Sequence, residues 1–362
     1  MKILYVITGL GQGGAERVVC DLANQMHKKG HSVKIAYLTG EILTKPCFDD
    51  IEIIKLDLNS LLSMPKAYAH LLKLIKNFSP DVVHSHMVHA NILTRLVRLA
   101  TPIKRLICTA HNSDEGGPLR MYAYRITHHL ADLTTNVSNE AAQAFISKKA
   151  VQGTDIITTY NGIDLSKFFY RIAARDKILN ELNISSDSCL ILAVGRFNKQ
   201  KDYPNLLHAF KVLKNREVKK VKLLIAGDGE LRNEIENKIS ELELKNDIVL
   251  LGRRQDIPEL MSAADIFILP SLYEGFGLVV AEAMACKTLV VATDCGGVAE
   301  VVGNCGFLVP PQSPEQLANA IFHALSIDEE TKDKVTTNAR LRVENLFCLE
   351  NTINKWLEYY KG

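Results

Sequence analysis

The chain has no apolar stretch long enough to cross a membrane: its longest candidate, Gly277 to Thr293, is broken by Glu282 and Lys287. The run Ile3 to Ile7 is too short for a secretory signal, so a cytoplasmic location is expected. No Cys-x-x-Cys and no Cys/His cluster at zinc spacing occurs. The eight cysteines, such as Cys108 in an apolar run, therefore read as buried thiols in a reducing compartment. A net charge of only +2 argues against a dedicated nucleic-acid binder. No Gly-Lys-Ser/Thr follows a glycine loop, which excludes the P-loop of a nucleotide triphosphatase. Low-complexity segments and short repeats are absent as well.

What is present is a globular composition, 47% hydrophobic and 23% charged, over 362 residues, a length that suits two domains. Short β-rich runs alternate with helical patterns, the mark of parallel sheets with crossover helices. Strands are expected at Lys2 to Thr8, Ser32 to Thr39, Glu52 to Leu56, Asp81 to Ser85, Arg105 to Ala110, Leu133 to Val137 and Asp155 to Thr159. The pattern restarts after a polar stretch from Phe168 to Ser188. Further strands follow at Cys189 to Gly195, Val221 to Ala226, Asp247 to Leu250, Asp265 to Leu269 and Thr288 to Ala292. The fold class is α/β, two doubly wound halves spanning 1–168 and 169–345, with a last helix in 346–362 that holds the only Trp. Ligands of such sheets bind outside the carboxyl ends of the strands, so functional residues should fall just after strands.

Gly9-Leu10-Gly11-Gln12-Gly13-Gly14 follows the first strand and matches G-x-G-x-x-G, with Glu41 the acidic residue beyond the second strand. It reads either as a dinucleotide loop or as a tight turn. Ser271-Leu272-Tyr273-Glu274-Gly275-Phe276-Gly277-Leu278 follows a later strand and opens an apolar helix. Gly275 and Gly277 permit the turn, and the N–H groups from about Gly277 onward form a helix N-terminus suited to a diphosphate. Glu274 lies at its lip. Glu282 lies about two turns in, where a carboxylate can accept two vicinal hydroxyls or must find a protein partner. Arg196 and Lys201, after the first strand of the second half, either neutralise a phosphate or form an exposed basic loop. Gly227-Asp228-Gly229 reads as architectural, Arg254 as bordering a base, and His111 as a lone post-strand histidine.

Together these residues resemble glycosyltransferase family 4, over nearly the whole chain. The resemblance rests on the E-x7-E pair Glu274 and Glu282, on Arg196 with Lys201, on Gly13-Gly14 and on Asn161-Gly162-Ile163-Asp164. It implies the GT-B fold, two Rossmann-like domains facing each other across a cleft, the first for the acceptor and the second for a sugar nucleotide. The last helix would return to the first domain. It further implies that Glu282 holds the ribose, that Glu274 holds the donor sugar, and that Arg196 and Lys201 stabilise the departing diphosphate. His111 would contact the transferred sugar, and Gly13 and Gly14 would line the junction. Retention of configuration also follows from the family. The chain has no Asp-x-Asp to hold a cation, so neither metal nor cofactor is expected; cationic side chains and helix N–H groups would serve.

The expected reaction moves a hexose or N-acetylhexosamine from a UDP-sugar, with GDP-mannose as the other donor, to a glycan or lipid-linked acceptor. Bacterial O-antigen, lipopolysaccharide or capsule synthesis is the expected setting. The alternatives are an NAD-dependent dehydrogenase and a non-catalytic sugar-nucleotide-binding protein. A small basic excess up to Asp164, and the segment Pro65 to Asn77 with Lys66, Lys73 and Lys76, raise an anionic membrane surface as a partner. The same segment also fits an ordinary helix with a solvated basic face.

Overall fold

The computed structural model describes residues 1–216 and 220–362. The chain divides into two compact units, Met1–Gly162 with Glu350–Gly362, and Ile163–Leu349. The division falls six residues before the expected boundary at Phe168.

The first unit contains strands β1 (Lys2–Ile7), β2 (Ser32–Tyr37), β3 (Glu52–Lys55), β4 (Val82–His86), β5 (Leu106–Ala110), β6 (Leu133–Asn136) and β7 (Ile156–Thr158). All pair in parallel, in the order β3-β2-β1-β4-β5-β6-β7. Its helices are α1 (Gly14–Lys28), α2 (Met64–Phe78), α3 (Val88–Arg98), α4 (Pro118–Thr127) and α5 (Asn139–Ser147). The second unit contains α6 (Ala174–Glu181), α7 (Tyr203–Lys214), α8 (Arg232–Glu241), α9 (Ile257–Ala263), α10 (Leu278–Ala285), α11 (Val298–Val302), α12 (Pro314–Ser326) and α13 (Glu329–Leu346). Its strands β8 (Cys189–Val194), β9 (Val221–Ala226), β10 (Ile248–Gly252), β11 (Ile266–Leu269), β12 (Leu289–Thr293) and β13 (Phe307–Val309) run in the order β10-β9-β8-β11-β12-β13.

Both orders reverse direction beside their first strand. Crossovers leave β1 and β4, and likewise β8 and β11, toward opposite sides, opening a crevice above their carboxyl ends. The strands are apolar runs because helices cover both faces of a parallel sheet. In the first unit Leu71 and Ile75 of α2 and Leu93 and Val97 of α3 pack on Leu4, Val6 and Val83. In the second, Leu206 and Phe210 of α7 pack with Ile321 of α12 on Leu223 and Ile225.

Several expectations need correction. The polar stretch Phe168–Ser188 is not a plain connector. It carries α6, which Arg175 anchors through the Ala263 and Ser188 carbonyls and the Asp265 carboxylate. Strand β13 was missed; three residues give no periodicity to read. The cysteines are all free, but only Cys20, Cys108, Cys286 and Cys295 are buried, and Cys47 is exposed in a loop. Helix α2 turns its apolar side, Ala67, Leu71, Ile75 and Phe78, into the core, so that side is not available to a membrane.

The last helix, α14 (Leu349–Lys361), is bound to the sheet of the first unit by specific polar contacts. Trp356 lies over His84 with ring centroids 4.5 Å apart. The Tyr360 hydroxyl is 2.8 Å from His84 Nδ1 and 3.0 Å from the Tyr5 hydroxyl, and Arg105 Nε donates to the Tyr359 carbonyl. Trp356→Ala should therefore destabilise the first unit by ~3–5 kcal/mol, the cost of an aromatic cavity. Urea unfolding followed by circular dichroism measures this; a loss under ~0.5 kcal/mol would mean that the helix merely rests on the surface.

Candidate functional site

In the second unit, two loops meet at the crevice between β8 and β11. The loop after β8 carries Gly195 to Lys201; the loop after β11 carries Pro270 to Gly277. They are laced together. The Leu272 N–H donates to the Gln200 carbonyl at 2.8 Å, and the Gln200 amide donates to the Tyr273 carbonyl at 2.9 Å. Lys201 Nζ then reaches Glu274 Oε1 at 2.6 Å, and Ser271 Oγ donates to the same oxygen at 2.7 Å. Both members of this ion pair are largely enclosed, with side chains 14% and 11% exposed. Two charges screened this little by solvent attract each other far more strongly than a pair at the surface.

Backbone geometry fixes the carboxylate. Gly296 has φ +55, and a Cβ there would lie 1.8 Å from the Glu274 carbonyl oxygen, so only glycine lets the segment after β12 close under Glu274. Gly277, at φ +89, turns the chain into α10, whose first N–H groups point out of the helix without intrahelical acceptors. Glu282 sits on the second turn of α10, nearly sealed at 2% exposure, and is engaged by the protein around it.

Other expected residues are placed differently. Arg196 turns outward to Glu230 at 3.2 Å, with both side chains about half exposed, so the two cations of the loop serve different carboxylates. The Phe276 ring turns inward onto Phe347, with centroids 5.3 Å apart, which leaves its backbone as the part that can face a ligand. Leu278 opens α10 and Gly275 is buried in the turn before it. Arg254, expected beside a base, is clamped by two carboxylates. Its guanidinium contacts both Asp256 oxygens at 2.8 and 2.6 Å and both Glu181 oxygens at 2.5 and 3.1 Å, tying α6 to the start of α9.

In the first unit, Gly13 caps α1 and Gly14 begins it. The Glu16 carboxylate folds back over this N-terminus: a Cβ on Gly13 would lie 2.4 Å from Glu16 Oε2. The helix thus carries its own anion where a dinucleotide would place its pyrophosphate. Glu41, wanted for a ribose, is exposed beyond β2. Both observations count against a dinucleotide loop.

His111 follows β5 and is 8% exposed. Its Nε2 lies 3.0 Å from His86 Nδ1 at the end of β4, and its backbone N–H donates to Glu115 Oε1 at 2.9 Å. Burial pushes the His111 pKa down to about 4, so the ring is neutral at physiological pH. Burial pushes Glu115 up to about 7, against the pull of hydrogen bonds from Tyr124 and His111. Sequence reading missed His86 and Glu115. The signal for His86 was His84-Ser85-His86, an alternation that puts both rings on one face of a strand beside Thr109 and His111. Among the described residues, no group of three or more His, Cys, Asp or Glu could hold a metal ion, and no helix is long and apolar enough to span a membrane.

A profile of the family described as Glycosyl transferases group 1 matches residues 174–342, and one described as Glycosyltransferase Family 4 matches residues 12–167. One relative is the UDP-Gal:alpha-D-GlcNAc-diphosphoundecaprenol alpha-1,3-galactosyltransferase of Escherichia coli, 28% identical over 83% of this chain and 80% of its own. Another is the N-acetylgalactosamine-N,N'-diacetylbacillosaminyl-diphospho-undecaprenol 4-alpha-N-acetylgalactosaminyltransferase of Campylobacter jejuni, 27% identical over 94% and 95%. Among solved structures, a glycosyltransferase from Rickettsia africae superposes with a TM-score of 0.87 at 25% identity, covering 99% of this chain and 97% of the other. Anabaena HepE in complex with UDP-glucose has the same fold, with a TM-score of 0.83 at 22% identity and coverage of 99% and 98%.

The buried Glu115 makes the first unit sensitive to pH. Its folded pKa of about 7 lies above that of an unfolded glutamate, ~4.3. Its contribution to stability is therefore complete below pH ~4 and is lost as pH rises through about 7. Glu115→Gln, which cannot ionise, should gain in melting temperature over the native chain as pH goes from ~6 to ~8. A difference that stays constant across that range would show that Glu115 ionises like a surface carboxylate.

Proposed function

The chain belongs to the glycosyl transferases of group 1, with a family 4 first half, and on that footing we propose the specific reaction it performs. It is a retaining, metal-independent transfer of a hexose or N-acetylhexosamine. The donor is a nucleotide-sugar, UDP-linked in preference to GDP-linked, and the acceptor a glycan or lipid-linked saccharide of a bacterial surface polysaccharide. The relatives named for undecaprenol-linked acceptors and the neighbour holding UDP-glucose support this choice of acceptor and donor.

The observation that carries the proposal is the enclosed Lys201–Glu274 pair beside the N-terminus of α10. Departure of a nucleoside diphosphate concentrates negative charge on its phosphates. Lys201 and the first-turn N–H groups of α10 offset that charge without a cation. Arg196 adds to this by leaving Glu230, a surface pair whose loss costs little. Glu274 then accepts hydrogen bonds from donor-sugar hydroxyls, and Glu282 from the ribose. In so dry a position a carboxylate bond to a hydroxyl is strong. His111 gives a neutral imidazole to a sugar hydroxyl. The dehydrogenase alternative lacks an open phosphate site, because Glu16 occupies it.

Transfer from radiolabelled UDP- and GDP-sugars to a short polyprenyl-diphosphate saccharide, in excess EDTA, tests this reading. Turnover should persist with a UDP-sugar, and Lys201→Ala should lower kcat by ~10²-fold while changing the donor KM less. Activity abolished by EDTA and restored by Mn²⁺ would overturn metal independence. Normal kcat in Lys201→Ala would remove the leaving-group role.

For the lipid-linked acceptor, α4 is the better membrane contact than α2. Leu119, Tyr122 and Ile126 lie three and four residues apart at 84%, 59% and 52% exposure, with Arg120 and Arg125 exposed beside them and no carboxylate in the helix. The protein should co-sediment with phosphatidylglycerol vesicles and less so at high salt. Leu119→Ser with Ile126→Ser should lose this binding. Sedimentation unaffected by that double change, or none with the native chain, would rule α4 out.

A further inference from the structure

The rings of His86 and His111 meet at the carboxyl ends of neighbouring strands, with centroids 5.3 Å apart and His86 Nδ1 3.0 Å from His111 Nε2. One proton occupies that contact. Burial keeps both rings neutral, so each carries a single N–H and just two arrangements exist. In the first, His86 Nδ1–H donates to His111 Nε2. The proton of His111 then lies on Nδ1, and His86 Nε2 is a bare acceptor. In the second, His111 Nε2–H donates to His86 Nδ1. His111 Nδ1 is then bare, and His86 Nε2 carries an N–H.

His86 Nε2 decides between them. It is fully enclosed and has no hydrogen-bond partner among the described residues. A sealed N–H with nothing to donate to is among the rarest arrangements in folded proteins, and a sealed lone pair is the more tolerable state. His86 is also braced in place: the His84 ring lies 4.1 Å behind it, and His84 is itself held by Tyr360 and Thr109 at 2.8 and 2.7 Å.

We infer that His86 is a positioning residue that holds His111 as its Nδ1–H tautomer, so that His111 presents a hydrogen-bond donor, not a base, to a sugar oxygen. With Nε2 taken, Nδ1 is the nitrogen left for a ligand, and His111 keeps the slight exposure that reaching one requires. An uncoupled histidine side chain favours the opposite, Nε2–H form, so the pairing selects the tautomer. The inference rests on the proposed contact between His111 and a sugar hydroxyl.

The test uses the full chain labelled with ¹⁵N-histidine and long-range ¹H–¹⁵N correlation at pH ~7.5, where both rings are neutral. His111 signals are assigned by their loss in His111→Ala. The native chain should show His111 protonated on Nδ1. His86→Phe should move that proton to Nε2. His86→Asn, whose amide N–H stands where Nδ1 stood, should return it to Nδ1. In the transfer assay, His86→Phe should lower kcat by ~10-fold or more with donor KM within about twofold, and His86→Asn should recover most of the loss. A native His111 protonated on Nε2 would overturn the inference even if no variant folds, and so would a tautomer unchanged in His86→Phe. Normal turnover in His111→Ala would instead overturn the sugar contact while leaving the tautomer result standing.

Discussion

The ion pair between Lys201 and Glu274 joins two loops that the topology of their sheet drives apart. Strand order sends the crossovers after β8 and β11 in opposite directions, which opens a gap above the carboxyl ends of those strands. The loops on its two sides are held to each other by contacts made across it. The ion pair is one of these, and the Gln200 contacts and the close approach of Gly296 keep its members in register. The crevice is thus bridged by charges already balanced. Neither Lys201 nor Glu274 bears the full cost of an isolated buried ion.

The two units solve the same architectural problem with opposite electrostatics. Each places a glycine-rich turn and a helix N-terminus after a central strand. In α1 the N-terminus is covered by the carboxylate of Glu16, three residues in, which satisfies the helix dipole from within the chain. In α10 the corresponding first turn, Leu278 to Ala281, contains no acidic side chain. The two turns also differ in backbone, with Gly13 extended and Gly277 left-handed, but their plainer difference is whether an acidic side chain of the first turn covers the positive end. That difference in charge, rather than the glycine spacing, is what sets the two turns apart.

The fold was legible because strands in parallel sheets are continuous apolar runs punctuated by turns, and the expected strands lie within a residue or two of those observed. What escaped was held by distant partners. Helix α6 buries few apolar side chains and is fixed by Arg175 and Glu181, whose partners Asp265 and Arg254 lie far along the chain. Lys201 and Glu274 were readable as post-strand residues, though not as one pair. Arg254 read as bordering a base, and nothing local reveals its partner Glu181. Glu16 was legible in principle, as an acidic residue at the third helical position. The face that His86 occupies was legible in His84-Ser85-His86, but its partner was not, because that ring arrives with the next strand.

The return of residues 350–362 to the first unit has a consequence for the birth of the molecule. A ribosome releases the strands of that unit first, at ~5–20 residues per second, yet Trp356 and Tyr360 emerge only after the whole second unit has been made. Until then Tyr5 and His84 lack the hydroxyl that joins them, and one flank of the sheet lies open to water. The first unit is thus begun first and finished last. Any nascent chain halted before its final helix displays an uncovered sheet, the kind of surface that chaperones and proteases recognise.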